Sequence, residues 1–338
     1  MAEDKWRYLL RRIARVSALC IAGLSMTTFG QTLLPRVAPD EAAKHLLNKI
    51  TPNYPPEAEL ARIQGYVILE IGIDESGVAL ERRLISGHPL LVPAAIEAVR
   101  RSKFRPFEVN GKPTPVITLA VVTFGNPKNN ESETRNEVLF QENFWSAEES
   151  AQTALANGNY PDAEQHLNRA RDLLPPAPES GQHRRERWRW VMDMGDLCRA
   201  QKKYQEAEQN YKQALDLRPG NDKNAPEIAE TLQSLSRLYI EERRYDLARD
   251  DATRSVAIYQ KNFKRADSHD QIARKRFGRA IAYQSWLLLS LAPQSNQRVE
   301  IKKQCGTVLE FQTFLDAADQ ASFVPICETA ISSPAKKD

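Results

Sequence analysis

From Gly65 to Ile73 the chain runs at a period of two. Val67, Leu69, Ile71 and Ile73 fall on one face, Tyr66, Ile68, Glu70 and Gly72 on the other. That pattern predicts a strand with one face on a core. Asp74-Glu75-Ser76-Gly77 predicts a turn, because Gly tolerates positive φ and Asp bonds nearby backbone amides. A second strand is predicted over Val78 to Ile85, where Val78, Leu80, Arg82 and Leu84 alternate with Ala79, Glu81, Arg83 and Ile85. Two strands alone are marginal in water and need a cover. Leu91, Ala94, Ala95, Ala98 and Val99 supply one at helical spacing, with Pro93 in the first turn, where a missing N–H costs little. A third strand is predicted from Val116 to Phe124, with Ile117, Leu119 and Val121 facing one way. Pro113 and Pro115 stand before it and mark it as an edge strand, since proline cannot donate to a ladder.

With a short helix following Pro52-Asn53-Tyr54-Pro55, the order is helix, hairpin, helix, edge strand. The fold class predicted for residues 50–126 is therefore α+β, two helices on a three-stranded antiparallel sheet. In its residues and their order this stretch resembles the C-terminal domain of TonB, the periplasmic protein that engages outer-membrane transporters. The resemblance implies binding and no catalysis. It also implies that Val116, Ile117, Thr118, Leu119, Ala120, Val121 and Val122 form a docking strand, to which an extended segment of a transporter adds by backbone pairing. The basic residues Arg100, Arg101, Lys103 and Arg105 fit local stabilisation of a helix C-terminus better than an acidic partner. His88 sits in a Gly-His-Pro turn with no second ligand placed to complete a metal site.

Residues 127–143 are polar and predict a linker, as do residues 31–49 on the other side of the domain. From Trp145 onward the pattern is helical and repeats. Tyr160, Ala163, Leu167, Ala170 and Pro175 have the same spacings as Tyr204, Ala207, Tyr211, Ala214 and Pro219. Tyr245, Ala248, Ala252 and Ser255 follow them without the proline. This resembles the second helix of a tetratricopeptide repeat, over residues 144–262. Ala151 and Ala154, Gly195 and Cys198, and Ser236 and Tyr239 occupy the matching positions of the first helices. The fold implied is an all-α solenoid, with residues 263–330 as capping helices (Gln271 to Leu291, then Leu309 to Ala318) and 331–338 as a tail. The resemblance also implies a concave, partner-binding face that includes Gln152, Arg189, Met192, Asp196, Arg199, Gln233 and Arg237. Met192 and Asp196 stand where chaperone-binding repeats keep a carboxylate clamp, so a C-terminal carboxylate is not the implied ligand.

Charge and cysteine content set the compartment. Lys5, Arg7, Arg11, Arg12 and Arg15 precede an apolar run from Val16 to about Gly30. That run is short of the roughly 20 residues of a membrane-spanning helix and suits a signal peptide, with an uncleaved inner-membrane anchor as the alternative. Of the 47 Lys/Arg and 44 Asp/Glu, five and two lie in the first 30 residues, leaving 42 of each. The remainder is neutral, and with Glu186 inside the basic stretch His183 to Trp190 it argues against nucleic acid and for a solvated helix face. In an oxidising compartment Cys305 and Cys327 would be able to form a disulfide, whereas Cys198 falls at a core position.

No G-x-S-x-G, H-E-x-x-H, P-loop or Cys-x-x-Cys occurs, so neither an enzyme nor a cofactor or metal is implied. The function expected is a periplasmic adaptor in a Gram-negative envelope, with protein partners at both modules. The alternative is an inner-membrane-anchored energy transducer. Against it stand an export segment without His or acidic residues and a preceding linker that spans at most ~75 Å. The oligomeric state is left open.

Overall fold

The computed structural model describes residues 34–48, 51–126, 131–176, 183–217, 223–266, 271–291 and 297–332. The predicted export segment, its cleavage point and most of the C-terminal tail lie outside them. The chain divides into two compact units: the first takes in Leu33–Ser146, the second Ala147–Ser268 and residues from Ala273 on.

The first unit begins with two short helices, α1 (Pro39–His45) and α2 (Pro56–Leu60), each opening on a proline. A first-turn N–H has no acceptor in a helix, so proline loses nothing there and arrives with φ already set. β1 (Gly65–Ile73) is the middle strand of an antiparallel sheet in the order β2-β1-β5, with β2 at Ala79–Ser86 and β5 at Val116–Phe124. β1 and β5 pair without a break from Gly65↔Phe124 to Ile73↔Val116. The pairing of β1 with β2 slips register twice, between Ile68 and Leu69 and between Glu70 and Ile71. Val67, Leu69, Ile71 and Ile73 pack with Val116, Ala120, Val122 and Phe124 under α3 (Val92–Arg100), which contributes Ala95 and Val99. In the turn, Asp74 Oδ1 accepts the N–H groups of Ser76 and Val78, each at 2.9 Å. Gly77 stands at φ +83°, and a Cβ there would lie 2.0 Å from the carbonyl oxygen of Phe104, so only glycine fits.

Four expectations for this unit are corrected. Residues 34–48 are not a linker: Ala42 is buried in the domain core, Leu47 N–H bonds the Lys103 carbonyl at 2.8 Å, and His45 stacks on Phe107 at 4.0 Å. The predicted polar linker 127–143 is helical from Glu131, where α4 (Glu131–Ala156) begins. A further hairpin, β3 (Glu108–Val109) with β4 (Lys112–Pro113), precedes β5, so Pro113 ends that hairpin rather than opening the third strand. The sheet also has both faces covered. Ile68 and Glu70 are buried on the second face, and Arg83 bonds both Glu70 (3.3 Å) and Gln141 of α4 (3.5 Å).

The second unit is a run of paired helices. The end of α4 pairs with α5 (Tyr160–Leu173), α6 (Arg184–Ala200) with α7 (Tyr204–Asp216), and α8 (Pro226–Glu241) with α9 (Tyr245–Arg265). The three second helices start on the predicted tyrosines, and their Ala163/Leu167/Ala170, Ala207/Tyr211/Ala214 and Ala248/Ala252/Ser255 are all buried. The first helices end identically. The N–H groups of Asn159, Lys203 and Arg244 reach back to the carbonyls of Ala154, Cys198 and Tyr239 at 2.9, 2.8 and 2.7 Å, around left-handed residues Gly158, Lys202 and Arg243. These bonds, with those from the N–H groups of Gly158, Lys202 and Arg243 to the carbonyls of Leu155, Arg199 and Ile240 three residues back, satisfy carbonyls a helix end would otherwise leave open.

Beyond the repeats come α10 (Gln271–Ser290), α11 (Gln297–Glu310), a 3₁₀ turn at Gln312–Phe314 and α12 (Ala317–Ser332). The stretch Leu309 to Ala318, predicted as the last helix, is the junction between α11 and α12. Trp286 stacks on Phe323 at 4.1 Å, and Phe263 meets Phe311 edge-on at 5.0 Å, closing α9–α12 into one core.

Candidate protein-docking surfaces

Among the described residues strand β5 lies at the edge of its sheet, with only β1 beside it as a full strand. Its residues serve two faces and one edge. Val116, Thr118, Ala120, Val122 and Phe124 share a face and are buried; the Thr118 hydroxyl has no hydrogen-bond partner among the described residues. Ile117, Leu119, Val121 and Thr123 share the other face, where Val121 and Thr123 are exposed and Ile117 and Leu119 buried. Ile117 directs both its N–H and its C=O away from β1, to Pro35 and Val37. Antiparallel pairing alternates residue by residue, so the backbones of Leu119, Val121 and Thr123 point outward as well. Of the seven residues predicted for docking, Val121 alone offers an exposed side chain, and Thr123, absent from that set, is its exposed neighbour. What this edge presents is backbone more than side chain.

The basic helix end stays exposed and bonds locally. Arg100 makes two bonds to Glu81, at 2.6 and 3.0 Å, and Arg105 bonds the Lys44 carbonyl at 2.6 Å. His88 accepts the Leu90 N–H through Nδ1 at 3.2 Å within its turn. These groups serve local structure.

On the repeat unit, the residues predicted for a concave groove are mostly engaged with neighbouring side chains of the array. Gln152 bonds Asp193 (3.2 Å), Arg189 pairs with Glu148 (2.6 Å), and Arg199 pairs with Glu241 (2.8 Å). Asp196 accepts from Tyr211 (2.7 Å), and the buried Gln233 accepts from Tyr259 (3.2 Å). Met192 is buried, its sulfur facing the Thr231 hydroxyl at 3.4 Å. Burial depresses the Arg237 guanidinium to about 10, with Arg199 adding repulsion and Asp196 opposing it. Burial also works against the charge on Arg199, but Asp196, Tyr211 and Glu241 outweigh it and hold the pKa above the usual value. The seven are buried or half-buried rather than fully exposed. The reason lies in α8, which is buried on nearly every side, Glu227, Glu230 and Gln233 included.

The basic stretch at the start of α6 is likewise not a solvated face. Trp188 is buried and donates to Thr231 (3.0 Å), Trp190 donates to the Leu167 carbonyl (3.0 Å), and Arg185 pairs with Glu227 (3.0 Å). A second node, missed in the sequence, ties α7 to α8. Glu208 accepts from Tyr239 (2.9 Å), Arg244 (2.7 Å) and Lys212 (2.8 Å). Burial opposes its charge, yet the bonds from Arg244, Lys212 and Tyr239 prevail and bring its pKa down to about 2.

Cys305 of α11 and Cys327 of α12 are buried side by side with both thiols free and in hydrogen-bond contact, which with burial raises the pKa of Cys327. Cys198 is a third free, buried thiol, raised by burial and by Glu206. Among the described residues no group of His, Cys, Asp and Glu is placed to hold a metal ion.

The fold defines a two-module protein, an α+β domain followed by paired helical repeats. Residues 50–125 match the family model of the Gram-negative bacterial TonB protein C-terminal. Residues 189–261 match that of the tetratricopeptide repeat. The chain thus carries a TonB C-terminal domain followed by a tetratricopeptide region. Both are non-catalytic interaction domains, and together they suggest protein–protein interaction in a Gram-negative cell envelope. No curated protein matches the chain. Among the described residues no helix is long and apolar enough to cross a membrane.

Proposed function

We propose that this chain is a periplasmic, non-enzymatic adaptor. Its TonB C-terminal domain docks an extended segment of an outer-membrane transporter, or of another envelope protein, by strand addition at β5. Its helical repeats recruit a second protein. The observation supporting this reading is the outward backbone of β5 next to the exposed Val121 and Thr123. Such an edge offers N–H and C=O groups in the geometry an added strand requires. The interlocked Arg189, Asp196 and Arg199 leave the second partner to surfaces other than their own side chains.

The experiment is a comparison of the full chain with Val121→Pro in affinity capture from native Gram-negative envelope. The substitution removes an outward N–H and leaves the β1 ladder intact. Loss of a captured outer-membrane transporter, with the circular dichroism spectrum unchanged, supports docking at β5; equal capture by both forms refutes it. Co-purification with inner-membrane proton-channel proteins would favour an energy transducer instead.

A further inference from the structure

The outer edge of β5 is already engaged at its start. Ile117 donates its N–H to the Pro35 carbonyl and accepts the N–H of Val37, both at 2.9 Å, so residues 35–37 lie parallel to the strand as a single rung. Three contacts hold this rung in place. The Arg36 guanidinium sits over the Trp145 ring at 5.1 Å, Val37 packs on the domain core, and the chain then enters α1, whose Ala42 is buried in that core. Pro35 is exposed, and a two-bond rung is slight beside the nine-residue register that joins β5 to β1.

Strand addition gains strength from consecutive rungs. Along β5 these fall at Ile117, Leu119, Val121 and Thr123. With Ile117 taken and Leu119 buried beside it, the end at Val121 and Thr123 is where an incoming segment first finds room. We propose that residues 35–37 are a built-in occupant of the docking edge, a flap displaced by an extended, β-branched segment of a partner protein as that segment pairs along the whole strand. This rests on the docking reading above and adds its regulation: the domain lowers its own affinity until a segment long enough to reach Ile117 arrives.

Two variants of the full chain test it. Val37→Pro removes the N–H that Ile117 accepts, and Arg36→Ala removes the contact with Trp145; neither alters a residue of β5 itself. The readouts are hydrogen exchange at the Ile117 amide and fluorescence anisotropy of a labelled peptide of alternating valine and threonine. Both variants are expected to speed exchange at Ile117 and to bind the peptide about tenfold more tightly than the wild type. Binding by all three forms with equal affinity overturns the flap and leaves β5 docking standing. Binding by none of them, at any concentration, overturns docking and the flap with it. A wild-type Ile117 amide that exchanges as fast as that of Val121 also refutes the occupied rung.

Discussion

Gly195 lies flat against the ring of Tyr211: a Cβ at residue 195 would fall 2.5 Å from ring Cε1. The ring has no room to retreat, since Tyr211 is fully buried and its hydroxyl is bonded to Asp196 at 2.7 Å. Gly195→Ala should therefore destabilise the repeat unit by about 1–3 kcal/mol, despite the better helix propensity of alanine. Thermal melting followed at 222 nm would show it, and an unchanged or raised midpoint would contradict the packing argued for α6 and α7.

The shared helix ending predicts the opposite sign at two other positions. Lys202 and Arg243 hold φ values of 62° and 61°, and at the equivalent place the first repeat has Gly158 at 71°. Side chains with a Cβ cost about 1 kcal/mol in that conformation. Lys202→Gly and Arg243→Gly are each expected to raise stability by about 0.5–1 kcal/mol, read as a shift in the urea midpoint. Destabilisation by both would mean that the side chains contribute more than the backbone strain.

Glu208 predicts an acid dependence. Its carboxyl stands at about 2 in the folded chain against an ordinary 4.5. A carboxylate so depressed stabilises the fold fully above the unfolded value, and the contribution fades as pH falls from about 4.5 toward 2. Allowing for screening by solvent, the effect is on the order of 1–2 kcal/mol. Urea unfolding at pH 7, 4 and 3 should show the wild type losing more stability than Glu208→Gln over that window. Parallel losses would assign the acid sensitivity to other groups.

The Cys305–Cys327 contact predicts a redox response. In protein secreted to an oxidising compartment, alkylation and mass analysis should find these two thiols bridged and Cys198 free. Closing a loop of this length is worth about 3 kcal/mol in the unfolded-chain entropy picture, so reduction should lower the melting temperature. Free thiols at both positions in protein taken directly from the periplasm would refute the bridge.

Much of the architecture was legible where short-range pattern decides structure. The alternation of β1 located the strand to the residue, and Tyr160, Tyr204 and Tyr245 marked the starts of three helices, although only Tyr160 and Tyr204 pack against the core of their repeats while Tyr245 is exposed. What stayed hidden depends on contacts distant in sequence. Residues 131–143 look like a linker by polarity, yet Glu, Gln and Arg are good helix formers. Phe140, Gln141, Phe144 and Trp145 then give α4 an inward stripe. The pairing of Pro35 and Val37 with Ile117 is made of backbone atoms and leaves no mark in residue type. The concave face was legible only as a set of positions for a related reason: resemblance gives Arg189, Asp196 and Arg199 but not that each would find a partner within the array. A hint was present in α8, whose Ile228, Leu232, Leu235 and Ile240 spread apolar residues around more than one side.

The two register slips along β2 bear on stoichiometry. A bulged strand twists and misaligns its free N–H and C=O groups, whereas β5 runs in unbroken register with β1. At its start β2 is also bridged through Val78 to Lys103. A sheet with one straight side and one warped side grows in a single direction. If β5 docks a guest strand as proposed, each molecule accepts one and passes none onward, and copies of the chain do not polymerise into ribbons through their edges.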